Sequence, residues 1–374
     1  METRHRLIIS DARNMNGIPS ESVDFVVTSP PYPMIEMWDG LFSDLSNDVK
    51  DCLAQENGNA AFEAMHVELD KVWSELNRVL KPGSFACVNI GDATRTVGGR
   101  FQLYPNHARI VSSFRNFGFD TLPVILWRKQ TNAPNKFMGS GMLPSGAYVT
   151  LEHEYILIFR KGAKREFYSP SEKEARMQSS FFWEERNKWF SDLWDFKGAS
   201  QGLRHSELRT RSAAFPIELA YRLVNMYSLC GDTVLDPFMG TGTTALAAIA
   251  CGRNSLGMEL ESDFCAYILD QEKAFAQTAN ELVTARILAH KAFVSERRLT
   301  RGELKYVNKH HGFPVMTRQE TGMILRRVQR IEILGENEVV ATYENFGRLN
   351  EEEVCVRAIE VALNNSAEQV LMEF

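Results

Sequence analysis

Residues 233–259 combine two short apolar runs with a glycine-rich turn and an alanine-rich run between them. DTVLD and NSLGMEL have the length and apolar content of buried strands, and TTALAAIACG is typical of a helix that ends at glycine. A strand, a helix and a second strand in this order form a crossover unit of a parallel sheet. This unit predicts an α/β fold before the rest of the chain is considered.

The same alternation extends over most of the chain. Further strands are predicted at RHRLIIS, VDFVV, FACVNI, TLPVILW and EYILIF. Amphipathic helices are predicted at residues 60–80, 105–117, 216–228 and 262–277. We therefore expect a mostly parallel sheet that is covered by helices on both faces. Residues 34–59 are polar and contain Gly and Asn, and we expect a long mobile loop there.

The turn DPFMGTG, between the strand DTVLD and the helix that follows, predicts a nucleotide site. Gly240 and Gly242 allow the backbone to approach a ligand at the helix N-terminus. The pattern matches the dinucleotide fingerprint G-x-G-x-x-A, which is a weak signal alone. Glu259 ends the next strand, 17 residues after Gly242, where an acid can accept hydrogen bonds from both ribose hydroxyls. These residues alone leave an NAD-dependent oxidoreductase open as an alternative.

A second unusual turn, TSPPYPM at residues 28–34, follows VDFVV directly. Proline lacks a backbone N–H and fixes φ, so a strand cannot continue through Pro30 and Pro31. The turn is either a simple rigid strand end or a stiff loop that holds Ser29 and Tyr32 at the carboxyl end of the strand. Open α/β sheets bind their ligands at that edge.

Together the two turns resemble those of the S-adenosylmethionine-dependent DNA amino-methyltransferases, which act on cytosine N4 or adenine N6. That family carries an (S/N/D)PP(Y/F) catalytic turn and a DPF-x-G-(S/T)-GTT cofactor loop, which are TSPPY and DPFMGTGTT here. The catalytic turn comes first, as in the permuted beta subgroup. The segments LNRVLKPGS, HEYILIFRKG, SDLWDF and AAFPIELAYRLV also fit, so the resemblance covers roughly residues 5–275.

The resemblance implies a Rossmann-like methyltransferase fold with one antiparallel strand. It assigns the catalytic turn to Ser29, Pro30, Pro31 and Tyr32. It implies that S-adenosyl-L-methionine is bound, with the ribose at Glu259, by Asp11, Phe215, Pro216, Asp236, Pro237, Phe238, Gly240, Gly242, Thr243 and Glu259. No metal is expected, because methyl transfer from a sulfonium needs no Lewis acid.

The catalytic turn suits the chemistry of an exocyclic amine, which is a poor nucleophile because its lone pair is delocalised into the ring. The Ser29 hydroxyl and the Pro30 carbonyl can accept its two hydrogens, and Tyr32 would stack on a flipped base. Tyr155 or Phe159 could form a second aromatic wall, unless both belong to the core. C5-cytosine methylation is disfavoured, because that family uses a Pro-Cys dipeptide and none of the six cysteines follows a proline.

The serine before PPY favours cytosine N4 over adenine N6, because Ser is commonest there among cytosine-N4 enzymes and Asp among adenine enzymes. N6-adenine methylation stays open as the alternative. We expect a site-specific methyltransferase that acts on double-stranded DNA, with a cognate restriction endonuclease as a candidate companion. Either a monomer or a homodimer is compatible with the sequence.

Residues 1–285 are predicted to form the catalytic domain, with a target-recognition insert at about residues 162–212. Residues 160–211 hold twelve basic and eight acidic side chains, and nine aromatic residues lie between Phe167 and Phe196. Basic stretches with interleaved aromatics are typical of phosphate contact and base stacking. Solvated faces of ordinary helices produce the same pattern.

Residues 286–374 are predicted to form a C-terminal extension that is a candidate DNA-contacting region. Residues 286–330 contain eleven Lys and Arg against three Glu, whereas residues 331–374 contain two Arg against ten Glu. The basic part could contact DNA, or the acidic part could pack on it and neutralise it.

The composition also indicates a location. No apolar run approaches the roughly 18 residues of a membrane span, and the N-terminus shows no signal-peptide pattern. The six cysteines are scattered and form no CxxC pair, as is typical of a reducing compartment. We therefore expect a cytoplasmic protein without a membrane partner.

Overall fold

The computed structural model describes residues 1–130, 138–198, 215–335 and 337–346. The strands of these residues are β1 (Glu2–Ile9), β2 (Val23–Thr28), β3 (Leu80–Ile90), β4 (Ala93–Val97), β5 (Arg100–Tyr104), β6 (Phe119–Thr121), β7 (Ile125–Gln130), β8 (Met138–Gly139), β9 (Ala147–Tyr148), β10 (His153–Lys161), β11 (Leu193–Lys197), β12 (Thr233–Asp236), β13 (Asn254–Glu259), β14 (Tyr306–Val307), β15 (Pro314–Val315), β16 (Arg326–Ile333) and β17 (Glu338–Asn345). The α-helices of these residues are α1 (Asp39–Leu45), α2 (Asn47–Ala54), α3 (Gly58–Val79), α4 (Asn106–Asn116), α5 (Pro170–Gln178), α6 (Trp183–Trp189), α7 (Ile217–Tyr227), α8 (Thr243–Cys251), α9 (Ser262–Asp270) and α10 (Glu272–Arg301). Short 3-10 helices lie at Glu36–Trp38 and Arg318–Gly322.

One large sheet organises the molecule. Its strand order is β11-β7-β10-β3-β2-β12-β13-β1-β17-β16, and β6 pairs with β10. Strands β3, β2, β12, β13 and β1 are parallel to one another. Among the described strands from residues 1–285, β10 alone runs in the opposite direction, and the C-terminal hairpin adds β17 as a second. The predicted fold class is therefore confirmed, and the hairpin β16–β17 extends the sheet beyond it.

Strand β2 shows why the sheet has a core on each side. All six of its residues are buried, and successive side chains point to opposite faces. Val26 joins a core that contains α3 and α4, whereas Phe25 and Val27 join a core that contains α7, α8 and α10. Burial on both faces is what makes a parallel strand a continuous apolar run.

The ends of the parallel strands define two opposite edges of the sheet, which we call the carboxyl edge and the amino edge. The carboxyl edge is where β1, β2, β12 and β13 end, at Ile9, Thr28, Asp236 and Glu259. The amino edge is where the same strands begin. Because these strands are parallel neighbours, the loops that follow them meet at the carboxyl edge. Both unusual turns of the sequence therefore lie side by side.

The expected loop at residues 34–59 is wrong, because this segment contains the first 3-10 helix, α1, α2 and the first residues of α3. Phe42 and Val49 are buried in the core that contains α3. Apolar residues recur at a spacing of three and four, which is helical: Trp38, Phe42, Leu45, Val49 and Leu53. The many polar residues between them hid this pattern, since both helices are short and a break at Ser46 separates them.

The described part of the predicted recognition insert begins at the amino edge, and its strand β11 runs beside β7 toward the carboxyl edge. Lys161 donates hydrogen bonds to the carbonyls of Asn77 and Leu80, where α3 passes into β3. Arg165 pairs with Asp232, just before β12. Helix α6 then packs on α10. Residues 199–212 of the predicted insert lie outside the described residues.

The C-terminal segment is continuous with the rest of the fold. Helix α10 runs without a break through residue 285, where the sequence predicts a boundary, and β17 pairs with β1. Phe182, Ile287 and Phe313 belong to a separate small core between α6, α10 and residues 306–325. The division into a catalytic domain and an extension stays a prediction, and residues 347–374 lie outside the described residues.

Candidate active site

A cavity of about 440 Å³ opens at the carboxyl edge, between the loops that follow β1, β2, β12 and β13. Most of the residues predicted from the sequence line it, namely Asp11, Ser29, Pro30, Pro31, Phe215, Asp236, Pro237, Phe238, Gly240, Thr243 and Glu259. Tyr32, Pro216 and Gly242 are not part of the lining. The structure thus brings the two turns of the sequence onto one cavity.

Asp236 ties the catalytic turn to the cofactor loop. Its carboxylate accepts hydrogen bonds from Thr28 Oγ1 at 2.6 Å, Thr244 Oγ1 at 2.5 Å and Phe238 N at 3.0 Å. Burial, together with the nearby charge of Glu259, raises the pKa of Asp236 to about 6, against the opposite effect of these three bonds. A buried carboxyl group whose pKa is raised toward neutral pH by its surroundings is a candidate for a ligand contact.

Gly242 gives the cofactor loop its shape. It precedes α8 with φ of +82°, a conformation that only glycine adopts without strain. A Cβ at this position would also lie 3.0 Å from the Ile268 side chain. Position 242 therefore has no room for a side chain. The turn directs the first turn of α8, with Thr243, at the cavity.

Glu259 is held in place by backbone groups. Its Oε2 accepts a hydrogen bond from Gly240 N at 2.9 Å, and its Oε1 accepts bonds from Leu260 N at 2.8 Å and Glu261 N at 3.1 Å. A carboxylate has about four acceptor positions, so one stays available on Oε2 for a ligand hydroxyl. The predicted ribose contact is compatible with this arrangement.

Asp11 lines the same cavity as Glu259 and forms an ion pair with Arg13 that the sequence did not reveal. Arg13 donates to both carboxylate oxygens of Asp11, at 3.1 Å and 2.7 Å, and to Glu68 at 2.5 Å. Partial burial raises the pKa of Asp11, but the hydrogen bonds from Arg13 outweigh it and leave the pKa below its usual value. Arg13 is thus occupied by carboxylates and does not make the cavity positive.

The cavity as a whole is rich in carboxylates. Asp11, Asp44, Glu68, Asp236, Glu259 and Glu261 all line it, with Arg13 as the single basic residue among the described lining. Such a lining attracts a cationic ligand and repels a pyrophosphate. The chemistry of these groups therefore fits S-adenosylmethionine, which carries a sulfonium, better than a dinucleotide.

Tyr32, in the catalytic turn, has a fully used hydroxyl. It accepts hydrogen bonds from Ser29 Oγ at 3.1 Å and Asn89 Nδ2 at 2.8 Å, and it donates to Glu154 Oε2 at 3.0 Å. A phenol can make one donor and two acceptor contacts, so nothing remains free. Burial and the Glu154 charge raise the pKa of Tyr32 well above its usual value, which keeps the phenol neutral.

Glu154 completes this network from β10. It also accepts a hydrogen bond from Asn89 at 2.7 Å, and Lys129 on β7 pairs with its other oxygen. Neither Asn89 nor Lys129 was predicted to belong to the site, since Asn89 stands alone in an apolar strand, Lys129 is one of three polar residues that end β7, and neither carries a motif. Their role follows from the strand order, which brings β3, β10 and β7 together beside the turn.

The two residues proposed as a second aromatic wall, Phe159 and Tyr155, lie in different surroundings. Phe159 is buried and stacks on Phe114 with ring centroids 4.0 Å apart, so it belongs to the core. Tyr155 stacks on His107 near the carboxyl edge, also at 4.0 Å, and does not line the cavity. Trp38 and Phe42, from the segment expected to be a loop, supply aromatic lining instead.

Comparison with known proteins places this geometry in a family. A family model described as DNA methylase, for N6 and N4 methyltransferases, matches residues 23–270. The chain belongs to this DNA methylase family. The methylase is 49% identical to the Type II methyltransferase M.MthZI of Methanothermobacter thermautotrophicus, over 92% of this chain and 96% of that protein. It is 50% identical to the Type II methyltransferase M.MjaI of Methanocaldococcus jannaschii, over 69% and 88% respectively.

A solved structure agrees with these relatives. An inferred DNA modification methylase from Thermus thermophilus, in complex with S-adenosyl-L-methionine, is 34% identical to the methylase, with a TM-score of 0.56. The match covers 74% of this chain and 96% of that one. The predicted family and the predicted cofactor are confirmed, and the oxidoreductase alternative is set aside. Within the described residues, no helix has the length and apolarity needed to span a membrane.

Proposed function

We propose that the methylase transfers the methyl group of S-adenosylmethionine to N4 of a cytosine that is flipped out of duplex DNA. The observation that carries this proposal is the hydrogen bonding of the catalytic turn. Ser29 gives its only proton to Tyr32, so its lone pairs are left as acceptors on the side of the cavity. A group that only accepts is suited to an amine, which offers two hydrogens.

Pro30 supplies the second acceptor. Its carbonyl follows Ser29 directly, and the diproline restricts the backbone, so that the direction of this carbonyl is set before the base arrives. Two acceptors fixed in this way would hold both amine hydrogens and aim the nitrogen lone pair at the donor methyl group. Alignment of this kind can contribute up to about 7–11 kcal/mol in well-oriented reactions.

Tyr32 is proposed to stack on the flipped base. Its hydroxyl is fixed by Asn89 and Glu154, so the ring has one orientation and loses little entropy when a base arrives. Stacking on an aromatic ring is worth roughly 1–3 kcal/mol, which is comparable with the cost of flipping.

Cytosine N4 is favoured because the first residue of the turn is a serine. The resemblance associates Ser with cytosine and Asp with adenine at this position. A hydroxyl is a weaker acceptor than a carboxylate and adds no charge to a cavity that already holds six carboxylates. N6-adenine methylation is the other outcome of the test.

The cofactor residues are proposed to act as the sequence predicts. Glu259 holds the ribose, Asp236 and Asp11 supply negative charge, and Phe215 borders the methionine end. The relatives are named Type II methyltransferases, and we extend from them the proposal that a cognate restriction endonuclease accompanies this enzyme in the cytoplasm.

The test is nucleoside analysis by mass spectrometry after the purified methylase has acted on unmodified plasmid DNA. We expect N4-methylcytidine and no N6-methyladenosine. The matched control is Ser29→Ala, which should leave both nucleosides unmodified. N6-methyladenosine without N4-methylcytidine would overturn the choice of base and leave the family and cofactor unaffected. Sequencing of the same DNA with detection of modified bases would give the recognised site.

A further inference from the structure

Most of the described part of the basic and aromatic segments lies away from the catalytic turn, but β11, with Trp194 and Phe196, runs beside β7 toward the carboxyl edge. Residues 162–192 start at the amino edge, where Arg165 pairs with Asp232, and reach α10, where Glu185 pairs with Arg286. Helix α10 starts beside Gly242, reaches the end of α8 near Arg286, and continues for fifteen more residues, or about 22 Å, away from the carboxyl edge. A duplex that delivers a base to Ser29 would also meet the described residues that lie at the carboxyl edge itself.

Two hairpins project from the carboxyl edge beside the catalytic turn. The hairpin β4–β5 follows Gly91, where a Cβ would lie 3.1 Å from the Tyr32 ring. The hairpin β8–β9 precedes β10, whose Glu154 binds the Tyr32 hydroxyl. Phe101 and Tyr148 stack on each other with ring centroids 4.6 Å apart and join the two hairpins. We call residues 93–104 and 138–151 the hairpin surface.

The hairpin surface carries no carboxylate. It contains Arg95 and Arg100 and not one Asp or Glu, although 48 of the 374 residues of the chain are acidic. Arg95 is paired with Asp39, and Arg100 is exposed. A surface that faces phosphates has to exclude negative charge, so this composition is complementary to a duplex.

The tip of β8–β9 is apolar and exposed. Met142 and Leu143 are 88% and 71% exposed, and Val149 is 85% exposed. The tip is nevertheless ordered as a turn, because Ser140 N donates to Gly146 O at 2.9 Å and Leu143 N donates to Ser140 O at 3.3 Å. Large aliphatic side chains held out on such a turn resemble the wedges that proteins insert between base steps.

We propose that the hairpin surface faces the duplex and that Met142 and Leu143 enter the base stack where the flipped base has left it. The proposal rests on the proposed function, since a base has to be flipped for a wedge to be needed. It differs from the sequence-based prediction, which places DNA contact on residues 162–212 and 286–330. Filling the vacated space removes the return path of the base and lowers the cost of keeping it in the cavity.

Hydrogen–deuterium exchange of the full chain tests the surface. The exchange is compared with and without sonicated unmethylated plasmid DNA, while methyl transfer to the same DNA is measured in parallel. We expect protection in residues 93–104 and 138–151. Methyl transfer with protection confined to residues 162–192 or 286–330 overturns the inference and leaves the proposed function standing. A protein that neither binds nor methylates the DNA overturns both.

Substitution of the tip tests the wedge. Once the target base has been mapped, a 24-base-pair duplex that contains it is compared with the same duplex with an abasic site opposite the target. We expect Met142→Ser with Leu143→Ser to lower transfer to the intact duplex about tenfold or more, and to leave transfer to the abasic duplex within about twofold of the parent.

The matched control is Val67→Ser, an exposed aliphatic residue on α3, which should change neither rate. The tip variant overturns the wedge if it equals the parent on the intact duplex. It also overturns the wedge if it loses activity equally on both duplexes, because a role in general binding or folding would then explain the loss.

Discussion

Cofactor affinity should depend on the ionisation of Asp236. Burial raises the pKa of this carboxyl to about 6 in the cofactor-free protein. S-Adenosylmethionine carries a sulfonium and, below about pH 7.7, an ammonium group, so it should bind to the ionised carboxylate. Below pH 6 the empty protein would have to lose a proton before it binds the ligand. The affinity should therefore fall as the pH falls.

The size of the effect follows from the pKa. If binding requires the carboxylate, the dissociation constant rises about twofold at pH 6 and about tenfold at pH 5, relative to its value at pH 7.5. Asp11 does not add to this effect, because its pKa is lowered from its ordinary value. Isothermal titration calorimetry at pH 5.0, 6.0, 6.8 and 7.5 measures the change, and two buffers with different ionisation enthalpies report the proton released on binding.

The control is Asp236→Asn, which keeps the shape of the side chain and removes its charge. The variant should bind the cofactor more weakly than the parent at pH 7.5 and with little change down to pH 5. The free energy of unfolding of the empty protein should change with pH in the opposite direction to cofactor affinity. A raised pKa means that the ionised carboxylate, which predominates above about pH 6, destabilises the empty protein. An affinity of the parent that is flat between pH 7.5 and 5, or a pH dependence that Asp236→Asn retains, would refute the reasoning.

Further predictions concern the catalytic turn and one buried ion pair. Ser29→Ala and Tyr32→Ala should keep cofactor affinity and lose most methyl transfer, because both side chains act on the base; parental transfer by Ser29→Ala would remove the role of its hydroxyl. Glu154→Gln should lower kcat by about 10–100-fold and leave the KM for the cofactor unchanged, since it removes a charge-assisted bond to Tyr32; steady-state kinetics would contradict this if KM alone changed. Arg286→Met should lower the free energy of unfolding by about 3–5 kcal/mol, because it leaves the buried Glu185 without its partner. Denaturant melts should show that the double variant, Arg286→Met with Glu185→Leu, loses less free energy of unfolding than Arg286→Met alone. Equal losses in the single and the double variant would show that the unpaired Glu185 charge is not the cause.

The catalytic turn and the cofactor loop could be predicted from the sequence because their backbone requirements are local. Gly242 needs a positive φ, and Pro30 and Pro31 end a strand, whatever surrounds them. The strands on either side are short apolar runs that become continuous through burial on both faces, as in β2. The two turns meet at one edge because β2 and β12 are parallel neighbours in the sheet.

The remaining parts of the site depend on contacts between distant segments. Neither Asn89 nor Lys129 belongs to a motif, and only the pairing of β3, β10 and β7 brings them to Glu154. DNA contact at residues 162–212 and 286–330 stays a prediction; Trp183 of the first stretch packs on α10, and Trp194 and Phe196 lie in β11. Residues 138–151 contain no charged residue, and their position at the carboxyl edge follows from the strand order.

Under the proposed function, the network behind Tyr32 would strengthen Ser29 as an acceptor for the base amine. Ser29 donates to Tyr32, and Tyr32 donates to Glu154, so each proton is displaced toward a buried negative charge. Hydrogen bonds in such a chain polarise one another, and the Ser29 oxygen becomes a stronger acceptor than an isolated hydroxyl. The charge itself stays behind the tyrosine ring and is paired with Lys129. In the proposed reaction the catalytic turn would thus gain part of the acceptor strength of a carboxylate, and the cavity would gain no further negative charge to hold the cationic methyl donor in its ground state.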